Sequence, residues 1–156
     1  MVQLNPIAEP EYQSWLTQVI KDYAQDKIDA GAWSPEEALD RSKQEFDELL
    51  PNGTATKDNY LYSVHDPQLG NNVGVVWIGI MDKRWHKIVF IYDFMIDEQY
   101  RRQGYGTQAL LALDDKVREL GWDTIDLHVF GHNAAARALY EKVGYIATDI
   151  MMRKRL

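Results

Sequence analysis

The segment Asp93-Phe94-Met95-Ile96-Asp97-Glu98-Gln99-Tyr100-Arg101-Arg102-Gln103-Gly104-Tyr105-Gly106-Thr107 carries the residues best suited to chemistry on an anion. An apolar run leads into a loop with two glycines, and the loop opens a helix. Glycine lets the backbone approach a ligand closely, and the unpaired N–H groups of a helix's first turn point outward at it. With the helix dipole they make a site suited to a pyrophosphate. Arg101 and Arg102 add fixed positive charge beside it.

Three nucleotide-binding patterns compete for this turn. A Walker A loop needs a lysine after its last glycine, but Thr107-Gln108 follow Gly106. Gly104-x-Gly106-x-x-Ala109 formally matches the dinucleotide fingerprint, and Asp126 lies near its acidic position. That fingerprint wants a tight turn directly off the strand, whereas seven residues, Asp97 to Gln103, intervene here. Only one further helix follows, too few for a doubly wound sheet. The third pattern, Arg-x-x-Gly-x-Gly from Arg101 to Gly106, needs a single pyrophosphate cradle.

The elements that must position this turn are legible from periodicity. Tyr12, Trp15, Leu16, Val19, Ile20, Tyr23 and Ala24 form a helical stripe within residues 9–30. Ser34-Pro35-Glu36-Glu37 reads as a second helix start, with Ser34 as cap and Glu37 three residues on. That helix runs to about Leu50, where Pro51-Asn52-Gly53 ends it. Tyr60–His65, Val73–Met81 and Ile88–Ile96 read as strands joined by short loops, which suits antiparallel pairing. A helix over Gly106–Leu120, a strand over Thr124–Phe130, a helix over Ala134–Val143 and a last strand over Tyr145–Met152 complete the chain. With a first strand at Gln3–Ile7, the order is β-α-α-β-β-β-α-β-α-β. The fold class is α/β (α+β), a mixed, mostly antiparallel sheet flanked by helices, with no linker to divide it.

Composition sets the outer bounds. At 156 residues the chain suits one domain, which buries roughly two-thirds of its unfolded surface. It is 46% hydrophobic and 26% charged, the balance of a folded globular protein. The absence of cysteine excludes a disulfide framework, a thiolate nucleophile and a cysteine zinc site. No apolar run reaches the roughly 20 residues of a membrane span, and no basic-then-apolar leader opens the chain. These features point to the cytoplasm, away from membranes. Net charge is −7, and residues 1–50, with 4 basic and 11 acidic residues, account for all of it. An acidic chain without a basic stripe argues against nucleic acid. No His/Asp/Glu spacing suggests a metal.

With these motifs in place, the chain resembles the GNAT superfamily of acyl-CoA-dependent N-acyltransferases. Their pyrophosphate loop follows Arg/Gln-x-x-Gly-x-Gly/Ala after a strand ending apolar-x-Val-Asp-Pro-x-Tyr. Phe94-Met95-Ile96-Asp97-Glu98-Gln99-Tyr100 is similar, with Glu98 where proline is common. Asn133-Ala134-Ala135-Ala136-Arg137-Ala138-Leu139-Tyr140-Glu141-Lys142-Val143-Gly144-Tyr145 resembles the family's Asn-x-x-Ala-x-x-Leu-Tyr-x-x-x-Gly-Phe block. The resemblance is specific over residues 88–146, and the order of elements extends it to a single GNAT N-acetyltransferase domain over 1–156.

The resemblance implies a function and a set of roles. The expected activity is transfer of an acetyl group from acetyl-CoA, as cosubstrate and with no metal, to a primary amine by direct attack. Phe94, Met95 and Ile96 would pair with the pantetheine arm through their backbone, next to a bulge that splays the strand. Arg101, Arg102, Gln103, Gly104, Tyr105, Gly106 and Thr107 would hold the pyrophosphate, and Asn133 would reach the cofactor from the next loop. A backbone N–H near Met95 or Ile96 would hold the developing negative oxygen. Tyr140 is the expected general acid, a phenol matched to a thiolate leaving group. For the base, alternation places His128 opposite Leu127 and Val129, and an imidazole titrates near neutrality. Asp93, acting through water, is the other candidate.

The acceptor is expected to be a small-molecule or peptide amine of cationic character. The acidic residues Glu36, Glu37, Asp40, Glu45, Asp47 and Glu48, with Trp33 nearby, would form its lip. Edge strands in this architecture pair between subunits, so a homodimer is a further expected partnership. The alternative reading is a non-catalytic acyl-CoA-binding sensor.

Overall fold

Alternation and helical stripes become two layers of helices around a sheet. The computed structural model describes residues 1–156. Its strands and helices are β1 Gln3–Pro6, α1 Glu9–Asp29, α2 Ala38–Leu49, β2 Asn59–Asp66, β3 Asn71–Asp82, β4 Lys87–Ile96, α3 Tyr105–Glu119, β5 Ile125–Leu127 and α4 Ala134–Lys142. The sheet order is β1-β2-β3-β4-β5. The first three pairings are antiparallel and β4 with β5 is parallel. The mixed, mostly antiparallel sheet of the GNAT reading is present.

Strand β3 is apolar almost throughout because both of its faces are covered. Val76 and Ile78 point into a core shared with Ala109, Leu110, Leu113 and Val117 of α3. Val75 and Trp77, on the other face, pack with Tyr12 and Trp15 of α1 and Phe46 of α2. Helix α2 comes close to α1 through Ser42, fully buried, whose hydroxyl donates to the Ile20 carbonyl at 2.7 Å. Ser34 opens α2 as a lead-in turn. Its carbonyl accepts from Ala38 N–H at 3.1 Å, and its own N–H donates to Glu37 Oε1 at 3.3 Å.

Two expected elements differ. The strand over Thr124–Phe130 shortens to the three residues of β5, because its pairing with β4 stops at Leu127. The expected last strand, Tyr145–Met152, does not form, and residues after Tyr145 are fully exposed. Strand propensity alone does not make a strand, and the backbone of these residues pairs with no edge of the sheet. No helix is long and apolar enough to cross a membrane.

Candidate active site

The site begins with one extra residue in β4. Trp77 pairs with Asp93, but the next residue, Ile78, pairs with Ile91, so Tyr92 is bulged out of the ladder. The Tyr92 ring stacks on Trp77, centroids 4.6 Å apart and 18° between planes. Room for that ring comes from Gly79, where an added Cβ would stand 2.7 Å from Tyr92 Cε2. A glycine inside an apolar strand is the sequence signal for such a bulge. A bulge bends its strand and increases the local twist. Here β4 and β5 pair from Val89–Ile125 to Ile91–Leu127 and then part.

Past that point, Tyr92–Ile96 keep a backbone edge that no strand occupies. The parting opens a cavity of about 460 Å³ between α1, β4 and the segment running from β5 into α4. Trp15, Asp22 and Asp26 line it from α1, Asp93 and Met95 from β4, and His128, Phe130, Asn133 and Tyr140 from the far wall.

Asp93 is held there by Trp15, whose indole N–H donates to Oδ2 at 2.8 Å. Burial pushes its carboxyl up to about 6, against the hydrogen bond from Trp15, which works to lower it. Negative charge on Asp22 adds to the rise. Tyr140 is also buried, which pushes its phenol up to about 12, and the Asp93 carboxylate pushes in the same direction. The Tyr140 phenol therefore senses the charge of Asp93 across the cavity. His128 is exposed on the opposite wall, edge-on to Phe130 with centroids 5.1 Å apart.

The glycine turn lies at the other end of the free β4 edge. Arg101 Nε donates to the Ile96 carbonyl at 2.8 Å and clips the loop to the strand's last residue. Arg102 takes a left-handed φ of 58° and is exposed. Gly104 caps α3 with φ 86°, a conformation that costs other residues strain. Gln108 N–H is the first to turn back, onto the Gly104 carbonyl at 3.1 Å, so the preceding N–H groups face outward. Gly106 has a packing role, since a Cβ there would stand 2.9 Å from Leu139 Cδ2 of α4. Tyr105 ties the cradle down from below, donating its hydroxyl to Asp66 Oδ2 at 2.6 Å. That bond, more than any other cause, lowers the Asp66 carboxyl.

Asn133 caps α4, its side-chain oxygen accepting from Ala136 N–H at 3.2 Å. Its amide NH2 makes no hydrogen bond within the chain. The residues singled out from sequence thus fall in two connected places, the cavity and the cradle. The acidic lip does not: none of Glu36, Glu37, Asp40, Glu45, Asp47 or Glu48 lines the cavity. Glu45 accepts from Tyr23, and Trp33 is buried against Tyr23 under the Arg41 guanidinium. The carboxylates at the mouth are instead Asp22 and Asp26. Their signal was available as a polar row, Gln18, Asp22 and Asp26, spaced at four residues beside the apolar stripe.

A chain with this fold has close counterparts among known proteins. Residues 16–145 match the model of the acetyltransferase (GNAT) family. The chain belongs to that family. This GNAT protein is 43% identical to the uncharacterized N-acetyltransferase YycN of Bacillus subtilis (strain 168), over 99% of both chains. It superposes on the crystal structure of YycN with a TM-score of 0.92, covering 100% of this chain and 99% of that one. A Clostridium acetobutylicum acetyltransferase crystallised with acetyl-CoA shares the fold, with a TM-score of 0.63 at 17% identity. That match covers 99% of this chain and 96% of the other. Acetyl transfer is the general activity of the GNAT family, and acetyl-CoA its usual donor.

Proposed function

We propose that the chain, as one domain over residues 1–156, transfers an acetyl group from acetyl-CoA to a primary amine by direct attack. The observation that carries this reading is the parting of β4 and β5 after Leu127, with Asp93 and Tyr140 on the walls it opens. The residues present fit an acyl-CoA. The free edge of Phe94, Met95 and Ile96 offers amide partners to a pantetheine arm, and the outward N–H groups from Arg102 to Thr107 suit a pyrophosphate. When bound, acetyl-CoA supplies an activated acyl group and a thiolate leaving group.

The protein's own groups then divide the proton work. Asp93, poised near 6, takes a proton from the incoming ammonium, with Trp15 fixing its other oxygen. A backbone N–H at Met95 or Ile96 steadies negative charge on the acyl oxygen. Tyr140 gives its proton to the departing sulfur. At about 12 the phenol is a reluctant donor, but part of that reluctance comes from the Asp93 charge. Once Asp93 is protonated the charge is gone, and Tyr140 becomes the stronger acid when it is needed. His128, on the exposed side of the cavity, is the second candidate base.

The mouth favours a cationic acceptor, a small amine or a lysine-bearing peptide. Asp22 and Asp26 stand one helical turn apart beside the aromatic wall of Trp15, Tyr23 and Phe130. Burial, then the charges of Asp22 and Asp29, raise the Asp26 carboxyl, while His132 works to lower it. Thiol release from acetyl-CoA against a panel of amines tests the reading. Release with one amine class supports it. Tight binding with no release from any amine or lysine peptide would favour an acyl-CoA sensor instead.

A further inference from the structure

Helix α4 ends in a turn that fixes Tyr145 against Tyr140. Gly144 takes a left-handed φ of 105°, a conformation that suits glycine. Its N–H donates to the Glu141 carbonyl at 3.1 Å, and the N–H of Tyr145 reaches back to the Tyr140 carbonyl at 3.0 Å. This pair of bonds is a Schellman closure, and a contact between the side chains at its two ends commonly comes with it. Here those side chains are two phenols, their rings edge-on with centroids 5.6 Å apart and 63° between planes. A bare ring would serve that contact. The hydroxyl of Tyr145 adds a polar atom that is buried without a hydrogen-bond partner, the one such side-chain atom in the chain. A hydroxyl buried unpaired costs stability, so its retention points to a use outside the resting structure.

We infer that Tyr145 is a positioning residue for the reaction, its spare hydroxyl donating to the Tyr140 phenolate once Tyr140 has protonated the departing sulfur. The inference rests on the proposed role of Tyr140. When that phenol gives up its proton, a negative oxygen appears on a buried side chain, where a hydrogen-bond donor counts for most. Tyr145 is suited to supply it because it keeps its own proton. Burial pushes its phenol up, and the charges of Asp114 and Tyr140 push in the same direction. Asp114, on α3, is the other charge that Tyr145 senses, yet it accepts no bond from the hydroxyl at rest. No proton leaves Tyr145. The bond it forms lowers the cost of the charge on Tyr140, which makes Tyr140 the stronger acid.

The test is a double-mutant cycle, Tyr145→Phe and Tyr140→Phe made singly and together, with thiol release and chemical denaturation measured on each full chain. Tyr145→Phe keeps the ring contact and removes the hydroxyl. Turnover should fall about tenfold, the loss of one hydrogen bond to a charged oxygen. The denaturation midpoint of the unliganded protein should hold or rise, because no bond is lost at rest. In the Tyr140→Phe background the same change should add no further loss of turnover. Unchanged turnover in the single Tyr145→Phe variant overturns the inference. An equal slowing in both backgrounds, the sign of a packing defect, overturns it too. So does a lower midpoint, which would mean that the hydroxyl already has a partner. If Tyr140→Phe alone keeps full turnover, the general-acid reading falls and takes this inference with it. A slow Tyr140→Phe beside a normal Tyr145→Phe sinks this inference alone.

Discussion

The indole N–H of Trp15 donates to Oδ2 of Asp93 across 78 positions of sequence, at 2.8 Å. This bond joins the helical layer to the bulged strand where the sheet opens. It also sets how strongly the carboxylate holds a proton. In Trp15→Phe the ring packing stays and the donor goes, so the Asp93 carboxyl should titrate higher still. The acidic limb of the rate profile should move up in pH, at a stability cost of about 1 kcal/mol. Rate against pH for both proteins checks this.

In the proposed mechanism Asp93 carries the pH dependence. Folding raises its carboxyl to about 6, so the folded chain binds that proton more tightly than the unfolded one. Its contribution to stability is complete below the unfolded value and is lost as pH rises through about 6. Asp93→Asn should remove that loss, making the protein more stable at neutral pH by roughly 1–3 kcal/mol. The same change should lower turnover by about 100-fold or more. Chemical denaturation and thiol release measured together check both halves. If His128→Ala abolishes the acidic limb and Asp93→Asn preserves it, His128 is the base.

Tyr140→Phe removes the hydroxyl proposed as proton donor but no intramolecular hydrogen bond. Turnover should fall by about 100-fold while acetyl-CoA affinity changes less than about twofold. Equal turnover in the two proteins would remove Tyr140 from the proton chain.

The cradle depends on Gly104 at φ 86°. Gly104→Ala should cost about 1 kcal/mol of stability and weaken CoA binding by roughly tenfold, by turning the first N–H groups of α3. Calorimetric titration with CoA reads this directly. Dephosphorylated pantetheine, which lacks the pyrophosphate, should lose no affinity.

At the mouth, Asp22→Asn and Asp26→Asn should each raise KM for a cationic amine by about 2–5-fold at low ionic strength. The effect should shrink in high salt, and kcat should stay nearly constant. Steady-state kinetics at two salt concentrations measures it.

The sequence by itself determined what depends on short stretches of chain. The helical stripe of α1, the apolar run of β3, the glycine turn from Arg101 to Thr107 and the Asn133 block each signal over about a dozen residues. Local backbone preference and one-sided burial are enough to specify them. Three things were decided only in three dimensions. Tyr92 bulges because its ring stacks on Trp77 over the bare backbone of Gly79, a fit between neighbouring strands. The mouth takes its charge from Asp22 and Asp26, because the packing of α1 over β4 turns that row inward and leaves the acidic face of α2 in water. The arm beyond Tyr145 has the pattern of a strand without its hydrogen bonds, because a strand exists only when another edge satisfies its backbone.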